Sequence, residues 1–138
     1  MIKRIAHISI ATESLGITSE FYKSLGLELD KTEILPSQKV KVASMQIGGS
    51  AIEFIEPTES DSPISNFLTR SGPGLHHISF EVDDLEAHLM DLKARGVRLI
   101  DQKPRVGAEG YQIAFVHPYS TGGVLVELSQ APQDGGNE

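Results

Sequence analysis

A chain of 138 residues is long enough to bury one core and too short for two ordinary domains. A net charge of -7 at pH 7 excludes the clustered basic surface that a nucleic-acid binder needs. No cysteine is present, which excludes disulfides, thiolate metal sites and cysteine nucleophiles and leaves imidazole and carboxylate as the ligands for any metal. There is no run of eighteen apolar residues, and Met1-Ile2-Lys3-Arg4 passes straight into a strand pattern. A cytoplasmic protein that does not enter a membrane is therefore expected.

Residues 5–10 are rich in β-formers and predict a first strand. Ser14 then caps a predicted helix in which Ile17, Phe21 and Leu25 recur at steps of four, and Gly26 offers a left-handed stop. Alternating runs at 40–47 and 51–55, separated by Gly48-Gly49, predict a hairpin. Ser62-Pro63 places a cap before a proline at the first helical position, so a linker helix is expected over about 62–71, with Ile64, Phe67 and Leu68 on one face. A strand through His77 follows. Asp83 or Asp84 caps a helix with Leu85, His88, Leu89 and Leu92 on one stripe and Gly96 at its end. Runs at 111–117 and 124–129 form a second hairpin around Ser120-Thr121-Gly122-Gly123. Residues 131–138 have no apolar period and are expected to fray.

The chain repeats itself. His7 and His77 are 70 residues apart, as are Gly26 and Gly96; Ala43 and Ala114 are 71 apart, and Glu53 and Glu127 are 74 apart. Strand alternation puts Ile5, His7 and Ser9 on one face, and Leu75, His77, Ser79 and Glu81 on the equivalent face of the second copy. Ala51, Glu53 and Ile55 share a face, as do Gly123, Leu125, Glu127 and Ser129. Each half thus offers one His and one Glu, and a pseudo-twofold pairing of the copies would gather all four. Taken singly, a His or Glu in a strand is ordinarily structural or exposed. Both Glu residues, however, interrupt apolar runs, where a charge is costly without a compensating partner. A metal would compensate both, and two imidazoles with two carboxylates suit a six-coordinate Mn, Co, Ni or Fe ion or a five- to six-coordinate Zn. His76 alternates away from this face and reads as structural.

These residues resemble the vicinal oxygen chelate superfamily and, within it, the methylmalonyl-CoA epimerase family. The resemblance covers residues 2–130 and rests on Phe21-Tyr22 with Leu25-Gly26-Leu27, Ile52-Glu53-Phe54-Ile55-Glu56-Pro57, Asp61-Ser62-Pro63-Ile64 with Phe67-Leu68, and Gly72-Pro73-Gly74-Leu75-His76-His77-Ile78. Val82-Asp83-Asp84, Lys103-Pro104-Arg105 with Gly107, and His117-Pro118 before Gly123-Val124-Leu125-Val126-Glu127-Leu128 complete it. The resemblance implies an α+β fold in which two βαβββ modules, about 2–57 and 74–130, pair into a cupped, mixed, glyoxalase-like sheet within a single domain of residues 1–130.

By position, the family's metal ligands fall on His7, Glu53, His77 and Glu127, with Co, Mn, Ni or Zn as the expected divalent ion. The implied reaction interconverts the 2R and 2S forms of methylmalonyl-CoA, an acyl-CoA thioester, through a stabilised enolate, in a homodimer. Glu127 is the expected base, and Glu53 flanks the other side. Some epimerases carry a further, non-ligand Glu on the strand at 40–43, where this chain has Val40-Lys41-Val42-Ala43. Lys103 and Arg105 would meet CoA phosphates or form a solvated loop. His117 would contact the substrate carboxylate or cap a strand, and Ser9 and Ser79 would support the histidines or simply pack. A glyoxalase I type of isomerase shares the ligand pattern and is the rival reading. A metal-free binding module of the same fold is a second rival, though it would not need two carboxylates in apolar strands.

Overall fold

Each helix starts where a side chain satisfies its first free amides. In the computed structural model, which describes residues 1–133, Ser14 accepts from Ile17 N (3.2 Å) to open α1 (Leu15–Lys23). Ser62 accepts from Ile64 N (3.1 Å) to open α2 (Pro63–Ser71), with Pro63 in the first turn. Asp84 accepts from Ala87 N (3.1 Å) to open α3 (Leu85–Ala94). Gly26 (φ +95°) and Gly96 (φ +81°) end α1 and α3 in the left-handed region that a side chain disfavours. The strands are β1 (Ile2–Ala11), β2 (Thr32–Leu35), β3 (Val40–Ile47), β4 (Ser50–Pro57), β5 (Gly74–Val82), β6 (Arg105–Val106), β7 (Gln112–Val116) and β8 (Val126–Gln130). Both modules therefore read βαβββ, and within them the strands hydrogen-bond in the orders β2-β3-β4-β1 and β5-β8-β7-β6. The fold is the expected α+β, glyoxalase-like one. Of the tail expected from residue 131, residues 134–138 lie outside the described residues, and 131–133 form no helix or strand.

The chain divides into two compact units, residues 7–77 and residues 1–6 together with Ile78 onward, so β1 and β5 each contribute to both. In the first unit β1 runs parallel to β4 with Ser9 opposite Glu53, and β3 runs antiparallel to β4 with Ser44 opposite Glu53. Leu15, Ala43, Met45 and Phe54 form its core, with Ile10, Tyr22, Leu27, Leu29 and Ile52 packed around them. The stripe of Ile17, Phe21 and Leu25 that announces α1 does not enter that core; the three are 77%, 62% and 62% exposed. The helix instead buries Leu15 and Ser19 and sets Tyr22 edge-on to Phe54, with centroids 5.2 Å apart. Steps of four and three from Leu15 define that face, and the exposed stripe lies around the helix from it. Ahead of α2, Lys39 pairs with Asp61, and this hydrogen bond holds the Asp61 carboxyl below its ordinary range.

The second unit repeats these devices. Its β5 and β8 run parallel with Ser79 opposite Glu127, and β7 places Phe115 opposite Glu127. In the first unit Glu56 Oε1, on the last strand, accepts from Leu15 N (2.7 Å); in the second, Gln130 Oε1 accepts from Leu85 N (2.7 Å). The core is Val82, Leu85, Leu89, Ala114, Val116 and Leu128.

The first residues of β1 carry an ion pair into this unit. Glu81, whose side chain is 7% exposed, receives Arg4 Nε at 2.9 Å and Nη2 at 2.8 Å, with Lys3 Nζ at 3.7 Å. Arg4→Met would leave Glu81 with Lys3 alone among the described residues. Because Arg4 is itself 39% exposed, the expected loss is about 1–3 kcal/mol, below that of a fully buried pair. A lowered urea midpoint with an unchanged slope would register it, and an unshifted midpoint would refute it.

Candidate functional site

Four polar side chains of the first unit meet on one face. His7 and Ser9 come from β1, Glu53 from β4 and His77 from the start of β5. His7 Nε2 lies 3.3 Å from His77 Nε2 and 3.5 Å from Glu53 Oε1. Ser9, fully buried, donates to Glu53 Oε1 at 2.7 Å and has its Oγ 2.9 Å from His77 Nε2. Since the hydroxyl proton goes to Glu53, Ser9 accepts from His77 Nε2 in this arrangement. With that proton on Nε2, His77 Nδ1 accepts the 2.8 Å bond from His76 Nδ1; an Nε2 that ligates a cation is unprotonated, and His77 then donates its Nδ1–H to His76.

His76 therefore does more than fill space. It sits edge-on to Phe67 of α2, with centroids 4.8 Å apart, and its bond to Nδ1 fixes which nitrogen of His77 faces His7 and Ser9. The alternation that puts His76 off the ligand face holds for its position in the strand and misses its effect on the neighbouring ring.

The donor set suits a divalent ion. Two ligand atoms about 2.1 Å from a cation and at right angles to each other lie about 3 Å apart. The His7–His77 and His7–Glu53 spacings of 3.3 and 3.5 Å match that edge without rearrangement of the strands. Two imidazoles and a carboxylate in a half-buried setting are the ligands expected of Zn, Co, Mn or Ni.

The second unit holds the other carboxylate. Glu127 lies in β8, 4% exposed, between Ser79 and Phe115. Ser79, fully buried, donates to Ser129 Oγ at 3.3 Å. Phe115 in turn receives Arg105, whose guanidinium carbon stands 5.6 Å from the ring centroid and whose Nε is 3.2 Å from Asp101. Arg105 is opposite Ile113 in the β6–β7 pairing, which puts it on the face that carries Phe115. Lys103 is exposed in the preceding loop. His117 Nδ1 accepts from Tyr119 N (3.0 Å) and so caps the 3-10 turn at Pro118–Ser120.

Three further residues reach these faces without any signal in local composition. Glu33 is opposite Val42, Ser44 is opposite Glu53, and Phe115 is opposite Glu127. Only the strand register reveals them, although the 71-residue offset already relates Ser44 to Phe115.

Residues 6–115 match the family described as the Glyoxalase/Bleomycin resistance protein/Dioxygenase superfamily. The chain belongs to that superfamily. Among relatives of this member, the Bacillus subtilis protein named "Uncharacterized protein YqjC" is 44% identical over 99% of both chains. The mitochondrial methylmalonyl-CoA epimerase of Homo sapiens is 39% identical over 93% of this chain and 74% of its own length. A solved methylmalonyl-CoA epimerase in complex with methylmalonyl-CoA and NH4+ is 38% identical, covers 95% of this chain and 96% of that one, and superposes with a TM-score of 0.90. The superfamily member is thus an enzyme of the methylmalonyl-CoA epimerase family, as its motifs imply. No helix among the described residues is long and apolar enough to cross a membrane.

Proposed function

We propose that the chain interconverts the 2R and 2S forms of methylmalonyl-CoA with the help of a divalent ion, Co, Mn, Ni or Zn, held by His7, Glu53, His77 and Glu127. One observation carries the reading: both modules set a carboxylate opposite a buried serine on parallel strands, Ser9 with Glu53 and Ser79 with Glu127. The repeat is thus kept at the residues that would do the chemistry. His7, His77 and Glu127 are also of the residue types and burial that suit a metal, and a buried carboxylate such as Glu127 calls for a cationic partner.

The proton to be moved lies between a thioester and a carboxylate, and its removal leaves negative charge on oxygen. A bound divalent ion supplies Lewis acidity to the substrate oxygens as that charge develops. Glu127 takes the α-proton on one side. Ser9 orients Glu53 and His77 together, and His76 holds the His77 ring. Arg105, steadied by Asp101 and Phe115, and Lys103 meet the anionic groups of CoA. The reading includes a homodimer acting in the cytoplasm.

The test is incubation of the purified protein in D2O with methylmalonyl-CoA, and separately with methylglyoxal plus glutathione, each with and without a chelator. Deuterium at the substrate α-carbon that disappears on chelation is the expected result. Turnover of the glutathione adduct alone would establish the glyoxalase alternative, and inactivity in every arm would favour a binding module.

A further inference from the structure

We infer that Glu33 is a second proton carrier of the epimerisation, in addition to Glu127, leaving Glu53 as a ligand. The inference rests on the epimerase reading and adds a residue to it. The strand register provides the argument. Glu33 on β2 is opposite Val42 on β3, and Val42 is opposite Ile55 on β4. Residues opposed in antiparallel strands share a face. Ile55 and Glu53 are two apart on β4 and so also share one. Glu33 therefore lies on the face that carries His7, Ser9, Glu53 and His77. Among the described residues, it is the one further titratable side chain that strand pairing in the first unit places there.

Its distance from Glu53 suits a separate task. Two strand spacings across and two residues along put the Cα atoms about 12 Å apart in a regular sheet, too far to share one proton or one ion. Val42 and Ile55, both buried and apolar, stand between them and offer no group to relay a proton. Glu33 is half-buried, between exposed Thr32 and Ile34, so it can exchange a proton with solvent after turnover. Glu53 suits that task poorly. Its Oε1 already accepts from Ser9 and lies 3.5 Å from His7 Nε2, and a hydrogen bond donated to a carboxylate weakens it as a base.

The step balances simply. The Glu33 carboxylate takes the α-proton from C2 as the C–H pair moves into the enolate, and the protonated carboxyl of Glu127 returns a proton to the other face. The reverse direction exchanges the two roles.

The experiment compares wild type, Glu33→Gln and Glu33→Asp in D2O, starting from each stereoisomer of methylmalonyl-CoA, with bound metal and melting temperature measured alongside. For Glu33→Gln the expected result is epimerisation slowed about 10²–10⁴-fold, with metal content unchanged. Deuterium should still enter one stereoisomer, the one whose proton faces Glu127, and Glu33→Asp should recover part of the rate. A merely structural role would not split the two stereoisomers. Wild-type epimerisation by Glu33→Gln, or equal loss of exchange from both stereoisomers, would overturn the assignment. If wild type itself exchanges no deuterium, the epimerase reading falls and the role of Glu33 with it.

Discussion

Glu127→Gln is expected to slow epimerisation by about 10²–10⁴-fold, the range for losing a positioned general base, while the protein stays folded. The side chain is buried on β8 between Ser79 and Phe115, and Gln has the same shape without the charge. Exchanging a buried carboxylate for a neutral amide removes a desolvation cost, so lost activity would not report lost structure. The informative measurement is deuterium uptake by each stereoisomer. Glu127→Gln should abolish exchange from the stereoisomer that Glu33→Gln spares, so the two variants would have mirrored preferences. Full exchange from both stereoisomers with metal retained would remove Glu127 from the role of base.

His77→Ala has the second large effect, because one ring nitrogen faces both Ser9 and His7. The variant is expected to purify with almost no metal and no turnover, whereas the parent should hold about one ion per chain. An ion at a hundred times its dissociation constant stabilises a fold by about 2.7 kcal/mol. For a chain of this length that is on the order of 10 °C in melting temperature. Chelation should therefore lower the parent's midpoint by about that amount and leave His77→Ala unmoved. Elemental analysis and a melting scan read this without an activity assay. A variant that keeps both its ion and its response to chelation would exclude His77 as a ligand.

The parts of this design that are legible in the sequence are those with a period or a repeat. The spacing of His7 from His77 and of Glu53 from Glu127 marks the duplication, and alternation along β1 and β4 puts His7, Ser9 and Glu53 on one face, where Ser9 bonds to Glu53. Caps behave likewise: Ser14, Ser62 and Asp84 open helices where their chemistry predicts. Features that depend on a partner strand are hidden. β2 and β6, four and two residues long, are too short for a periodic signal, so the placement of Glu33 and Arg105 waits for the register of β3 and β7. The stripe of Ile17, Phe21 and Leu25 shows the limit of periodicity, since it identifies a helix correctly and points to the wrong face. His76 illustrates a third case, because no pattern of spacing says that a ring will reach its own neighbour's Nδ1.

The lag between the two copies grows from 71 residues at β3 and β7 to 74 at β4 and β8. Gly48 and Gly49 close the first hairpin, whereas a 3-10 turn at Pro118–Ser120 and the Gly122-Gly123 pair occupy the matching stretch of the second. The extra length was accommodated there without shifting a single rung of either ladder. That connection is accordingly a place where the protein tolerates growth. A graft or label between Thr121 and Val124 would leave the carboxylates aligned, whereas one residue added inside β4 or β8 would turn Glu53 or Glu127 to the opposite side.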